Sequence, residues 1–303
     1  MKKLIALLMA LVIVLSFAAC AGKTTDVTTT AAPDASQATT QPVATPENPV
    51  IRLATTTSVN DSGLLPYLLP AFEAETGYKV EVASAGTGVA IGYAKSGDAD
   101  LLLVHSKKQE EAFIEEGFAS TERLSFMYNF FVIVGPADDP AGIKDLATAA
   151  DCFKAIAEAG TGFASRGDNS GTHNKETAIW ESAEIDPSAE SWYSSLGKGM
   201  GDTLTTANEM KVYALTDKAT FLSMKDSLPN LAILKEEADD MKNTYSLLGV
   251  KADAAAFAGT DVSINTEGAN ALIEWMLSDE AAALIADYGK EQYGEQLFFL
   301  IEK

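Results

Sequence analysis

From residue 50 onward the chain repeats one unit: a short apolar run, a polar loop rich in glycine or hydroxyls, and a stretch with helical apolar spacing. "VIRLA" is followed by "TTTSVNDSG" and then by "LLPYLLPAFEAETG", whose closing glycine ends a helix. "YKVEVASA" leads into "GTG" and a second helical stretch, and "DLLLV" precedes the amphipathic "KKQEEAFIEEGF". Strands alternating with helices of this length predict an α/β layout with a largely parallel sheet. In such sheets ligands bind at the loops beyond the carboxyl ends of the strands.

One segment breaks the rhythm. "LSFMYNFFVIVGP", residues 124–136, is too long and too uniformly apolar for one half-exposed strand, and the alternation restarts after it. A segment crossing between two lobes explains both facts, and "YSLLGVKA", residues 245–252, is the expected return crossing. The expected boundaries are 50–132 plus 247–303 for lobe I and 133–246 for lobe II. Two closing helices are expected in "NTEGANALIEWMLSDEAAALIADYG".

The amino terminus, "MKKLIALLMALVIVLSFAAC", has two lysines, an apolar run and small residues before a cysteine, the pattern of an export signal over residues 1–20. The apolar run is short for a membrane span. "FAAC" is similar to a lipobox, in which Cys20 receives a lipid and becomes the first residue; Phe17 stands where leucine is usual. Residues 21–49 are Thr, Ala and Pro with almost no large apolar side chain, so they cannot bury enough surface to fold and read as a flexible tether. Only Cys152 then remains, which excludes an intramolecular disulfide and, with no Cys/His ligand set, a structural zinc site. Cys152 is expected to be a buried small apolar residue.

The formal charge of −21 argues against nucleic acid and against an electrostatic grip on anionic lipid. It does not exclude a small anion, because exposed charges are screened beyond about 8 Å and the groups in contact decide a site. Three loops follow strands and precede helices: "TTTSVNDSG" at 55–63, "AGTG" at 85–88 and "SRGDNSGT" at 165–172. A helix start offers unpaired N–H groups and the positive end of its dipole. Ser and Thr there commonly do no more than cap the helix. Three such loops, one with Arg166, favour shared anion binding over three separate caps. "GDNSG" invites comparison with a serine protease, but Asn169 interrupts that signature, and a triad needs a histidine brought to face the serine with a carboxylate orienting it. His105 and His173 are the two histidines, no GxSxG elbow is present, and no catalytic residue is assigned. His173 has no partner at metal-ligand spacing and is expected to cap or pack. "GTGVAIG" has the spaced glycines of a dinucleotide loop, a weak signal alone that serves a small oxyanion equally well. Trp180, Trp192 and Trp275 sit at helical apolar positions and are expected in the core.

Taken together, "LATTTSVNDSGLLPYLLPAFEAETGYKV", "SAGTGVAIGYAKSGDADLLLVHS", "MYNFFVIVGPADDPAGI", "SRGDNSGTHNKE" and "GKGMGDTLTTANE" closely resemble the tungstate-binding proteins of bacterial ABC-type uptake systems, from about residue 50 to the carboxyl end. The resemblance implies a type II periplasmic-binding-protein fold, two α/β lobes joined by a two-strand hinge. It implies a monomer held at the extracytoplasmic face of the membrane, closing on an oxyanion and delivering it to a permease and its ATPase, without a cofactor. Carried over by position, the anion contacts fall on Thr57 and Ser58, on Thr87, and on Arg166, Ser170 and Thr172. A site built of donors suits a fully deprotonated tetrahedral ion. Phosphate still carries a proton at neutral pH and is disfavoured unless Asp61 or Asp168 points inward. Molybdate, sulfate or phosphate binding on the same fold, and a sensor that does not transport, are the alternatives.

Overall fold

The computed structural model describes residues 45–236 and 238–301. The export signal, Cys20 and residues 21–44 of the tether lie outside the described residues. The end of the tether is held to the fold: the Asn48 carbonyl accepts from Asn265 Nδ2 at 2.9 Å, and the Pro49 carbonyl from Lys79 N at 2.7 Å.

The first half follows the predicted alternation: β1 (Val50–Thr56), α1 (Thr57–Asp61), α2 (Leu64–Thr76), β2 (Lys79–Ala85), α3 (Thr87–Ser96), β3 (Leu101–Val104) and α4 (Lys107–Glu115). β1 lies between β2 and β3 and is parallel to both, Leu53 pairing with Val82 on one side and Leu101 on the other. Successive side chains of a strand point to opposite faces. Accordingly Leu101 and Leu103 pack with Ile51, Leu53 and Phe72, while Leu102 and Val104 pack with Ala54, Ala90 and Phe113. Both faces are covered, so "DLLLV" has no polar residue to alternate with.

β4 (Leu124–Pro136) is a single strand of 13 residues that changes partners midway. Leu124–Phe130 pair antiparallel with β9 (Lys242–Gly249), which in turn pairs antiparallel with β3. From Phe131 the strand pairs instead with β7 (Ala214–Asp217) and β8 (Leu231–Lys235). Phe126 and Met127 belong to the first core, whereas Phe131 and Ile133 enter one core of the second half and Val132 and Val134 another. This double service accounts for the length and apolarity of "LSFMYNFFVIVGP". The two crossing strands β4 and β9 supply antiparallel pairs, so the sheet is mixed, with parallel pairing inside each α/β half.

Between β4 and β9 the chain forms α5 (Ala149–Ala159), β5 (Phe163–Ser165), α6 (Gly171–Ser182), β6 (Tyr193–Ser195), α7 (Met200–Met210), β7, α8 (Lys218–Met224) and β8. β5 and β6 are parallel, and Ala164 N donates to the Tyr213 carbonyl at 2.8 Å. Phe153, Phe163 and Trp180 pack with ring centroids 4.3–5.3 Å apart. Cys152 is buried in the same core, its thiol pushed up to about 12 by burial. Trp192 packs at its margin. After β9 the chain returns over the first half with α9 (Thr266–Met276), α10 (Asp279–Asp287), α11 (Lys290–Tyr293) and β10 (Phe299–Leu300), which pairs with β4. Trp275 is buried against Phe72. Among the described residues no helix is long and apolar enough to cross a membrane.

Candidate anion-binding site

The three polar loops meet where the two halves touch. In the first, β1 runs directly into α1. Thr55 Oγ1 donates to the Leu103 carbonyl at 2.8 Å and so serves the sheet, while Thr56 Oγ1 and Ser58 Oγ lie 3.2 Å apart. Thr57 Oγ1 accepts from Arg166 Nη2 at 3.2 Å across the cleft. No side chain caps α1 or α3. The first-turn N–H groups of a helix lack the usual intrahelical acceptor; in α3 Val89 N turns back to the Gly86 carbonyl at 2.9 Å.

In the second loop Gly86 brings its backbone against the third. A Cβ there would lie 3.6 Å from Asp168 Oδ2 and 3.8 Å from Ser170 Cβ. Thr87, the next residue, is fully buried, and its Oγ1 has no hydrogen-bond partner among the described residues.

The third loop, between β5 and α6, owes its shape to Gly167 and Asn169, both at positive φ (61° and 56°), a region that glycine and asparagine tolerate. Gly167 also lies so near β6 that a Cβ would sit 2.1 Å from Ser195 Oγ. Arg166 is 2% exposed. Its Nη2 donates to Asp168 Oδ2 at 2.6 Å as well as to Thr57, and its Nε to the Lys198 carbonyl at 3.4 Å. Asp168 Oδ1 accepts from Ser170 N at 3.1 Å, so both carboxylate oxygens are engaged. Asp61 is exposed, accepts from Asn60 Nδ2 at 3.4 Å and has its pKa raised mainly by partial burial. Ser170 does cap α6, accepting from His173 N at 3.2 Å, and retains one proton to donate. Thr172 is buried, and its Oγ1, like that of Thr87, has no partner among the described residues. His173 Nδ1 accepts from Asn169 N at 2.9 Å and closes the loop, as expected of a packing histidine.

Two residues missed in the sequence belong here. His105, which follows β3, lies with Nε2 3.2 Å from Ser58 Oγ. Asp217 is fully buried at the start of α8, its Oδ1 accepting from Thr220 N at 2.9 Å and its Oδ2 without a partner among the described residues; burial raises its pKa to about 6. "DKAT" carries an N-cap signal that could have placed Asp217, whereas nothing near residue 105 announces its partners.

Further contacts across the cleft are Gln109 Nε2 to the Asn169 carbonyl (3.3 Å), Asn174 Nδ2 to Ser106 Oγ (3.2 Å), Thr220 Oγ1 to the Ser58 carbonyl (3.3 Å) and Ser223 Oγ to the Asp61 carbonyl (3.2 Å). The halves are therefore closed on each other. Thr57, Ser58, Thr87, Arg166, Ser170 and Thr172 all come from loops that face this junction. Among the described residues no group of three or more His, Cys, Asp or Glu is placed to hold a metal cation. The arrangement is rich in donors: backbone N–H groups, hydroxyls and one buried guanidinium, with the adjacent carboxylate already neutralised.

The model of the PBP superfamily domain matches residues 30–280. The tungstate-binding protein TupA of Peptoclostridium acidaminophilum is 47% identical over 253 residues, 82% of this chain and 84% of the relative. A solved structure of the tungstate ABC transporter from Geobacter sulfurreducens is 40% identical, with a TM-score of 0.70 over 79% of this chain and 98% of that one. The tungstate-binding protein TupA from Desulfovibrio alaskensis is 37% identical, with a TM-score of 0.70 over 84% of this chain and all of that one. The chain belongs to the PBP superfamily and, within it, to the family of the TupA solute-binding proteins.

Proposed function

We propose that this protein captures tungstate between its lobes outside the cytoplasm and hands it to an ABC permease driven by its ATPase. The observation that carries this reading is a pair of buried hydroxyls, Thr87 Oγ1 and Thr172 Oγ1, one from each side of the cleft and both without a partner among the described residues, with the buried Arg166 in the same loop as Thr172. Each buried donor left unsatisfied costs about 1–3 kcal/mol. An oxyanion accepting from both removes that cost and adds charge-assisted bonds from Arg166, so it favours the closed arrangement. Thr57, Ser58 and Ser170 complete the donor set together with the first turns of α1, α3 and α6.

The lobes in this reading are residues 50–132 plus 247–303 and residues 133–246, which agrees with the partner change in β4 at Phe131. Cys20 carries the lipid, the tether runs from residue 21 to the point where Asn48 and Pro49 are bonded to the fold, and the protein acts as a monomer. With Asp168 engaged by Arg166 and Ser170, that carboxylate is not free to accept the hydrogen of a protonated ion, which counts against phosphate. Sulfate is a smaller tetrahedron and leaves some donors unpaired.

Competitive calorimetry with sodium tungstate, molybdate, sulfate and phosphate tests the assignment. Tungstate is expected to bind most tightly together with molybdate, and sulfate and phosphate to compete weakly. A protein that prefers phosphate, or that ignores tungstate, refutes it.

A further inference from the structure

His105 is 9% exposed and sits at the seam of the two lobes. Its ring packs 5.0 Å from Tyr245 and 6.2 Å from Phe131, centroid to centroid, and is covered from the other lobe by Gly171, where a Cβ would lie 2.3 Å from His105 Cε1. Nε2 lies 3.2 Å from Ser58 Oγ, while the buried Nδ1 has no partner among the described residues.

Those two nitrogens decide where the proton sits. A neutral imidazole has one N–H and one lone pair. A buried N–H without an acceptor is rarer and costlier than an unsatisfied acceptor. The proton therefore belongs on Nε2, where Ser58 Oγ accepts it. An imidazolium would add a hydrogen on Nδ1, which has no acceptor at hydrogen-bond distance among the described residues and only the Asn243 side chain near it, and would face the Arg166 cation. Burial, reinforced by Arg166 and partly opposed by the Asn243 side chain, holds the His105 pKa down to about 4.

With this tautomer fixed, Ser58 Oγ accepts from His105 and can accept again from Thr56 Oγ1 at 3.2 Å. Its single proton is then not drawn to His105 and, with the Tyr245 hydroxyl as its other polar neighbour, can point at the ligand. We infer that His105 is the positioning residue of the site, its Nε2–H committing Ser58 to act as a donor toward the bound oxyanion. The opposite tautomer would draw the Ser58 proton away and present the ligand with a lone pair. That arrangement would welcome a protonated ion such as hydrogen phosphate and repel a full dianion. The inference rests on the proposed anion capture and deepens it, since it assigns the discrimination between deprotonated and protonated tetrahedral ions to a residue that need not touch them.

The test uses the full chain and two variants, His105→Gln, which offers an amide N–H near the position of Nε2, and His105→Met, which offers none. Calorimetry with sodium tungstate, with phosphate as competitor, is expected to show His105→Gln within about threefold of the parent. His105→Met is expected to weaken tungstate binding about tenfold, the weight of one buried hydrogen bond, without weakening phosphate. Nitrogen-15 spectra of the tungstate-loaded parent, with two histidines to assign, are expected to show Nε2 of His105 protonated and Nδ1 bare between pH 5 and 8. Binding by His105→Met equal to the parent, loss in His105→Gln as large as in His105→Met, or a proton on Nδ1 overturns the inference. A parent protein that does not bind tungstate refutes the proposed function instead, and the two failures are told apart by that first titration. Equal unliganded melting temperatures for the two variants establish that both are folded.

Discussion

Replacing Arg166 by alanine should cost more affinity than removing any hydroxyl of the site, and the hydrogen-bond pattern fixes by how much. Nη2 already donates to Asp168 and Thr57, and Nε points at the Lys198 carbonyl, so under the proposed function the two hydrogens of Nη1, for which no acceptor is found among the described residues, are those left for the ion. Two bonds to a charged partner at about 1.5–3 kcal/mol each amount to about 3–6 kcal/mol. At about 1.4 kcal/mol per decade this is a loss of about a hundredfold to ten-thousandfold. The same substitution strips Asp168 of its cation and leaves a carboxylate beside a dianion. Arg166→Ala/Asp168→Asn should therefore recover part of the loss. Arg166→Lys keeps the charge but cannot span Asp168, Thr57 and the ligand at once, and should fall between parent and alanine. Displacement calorimetry with sodium tungstate reads all four proteins. If Arg166→Ala binds within fivefold of the parent, or loses no more than Thr87→Val, the buried guanidinium is a structural ion pair and the charge logic of the site is wrong.

Thr87→Val and Thr172→Val each delete a buried hydroxyl that has no partner among the described residues; tungstate affinity should fall about five- to tenfold while the unliganded melting temperature stays put, and a marked drop in that temperature would show that the hydroxyl serves the fold. Gly171→Ala adds a methyl 2.3 Å from the His105 ring, so it should hinder closure and weaken tungstate at least tenfold without unfolding either lobe; unchanged affinity in a titration would mean that the lobes seal elsewhere. Glu176, buried and accepting from Trp180 Nε1 and Tyr193 OH, has its pKa raised by burial from 4.5 to about 7. Because the folded state holds this proton more tightly, its contribution is complete below about pH 4.5 and is lost as pH rises through 7, a loss on the order of 3 kcal/mol. Glu176→Gln keeps the acceptor without the charge and should raise the melting temperature at pH 8 relative to pH 5, an effect that thermal unfolding at the two pH values would show or deny.

What the sequence reveals follows from which interactions are local. The alternation of strands and helices is set by side-chain periodicity, so β1 to α4 fall where the spacing puts them. β4 stands out by its length, but Phe131 as the point of partner change does not, because the flanking residues are equally apolar and the change depends on strands more than 80 residues away. The antiparallel pairs of β4 and β9 are hidden for the same reason. At the site, hydroxyls and glycines beside helix starts mark the loops, yet composition cannot say which hydroxyls are spent internally. Thr55 bonds to the sheet and Ser170 caps α6, whereas Thr87 and Thr172 bond to nothing among the described residues. His105 could not be found at all. Its role comes from Ser58, 47 residues earlier, and from Gly171 on the other lobe.

The remaining puzzle is how a chain with a formal charge of −21 holds a dianion. Most of those carboxylates lie on the surface, where salt reduces their reach to about 8 Å. Near the site the balance is different. Asp168 is consumed by Arg166 and the Ser170 amide, and Asp217 is tied to Thr220 N, its pKa raised by burial to about 6. Backbone dipoles at three helix starts add positive potential without mobile charge. The Asp168 charge is thus damped by the same contacts that shape the third loop. It follows that neutralising surface acids should alter the rate of capture and its salt dependence more than the strength of binding, while disturbing the Asp168 pair should do the reverse.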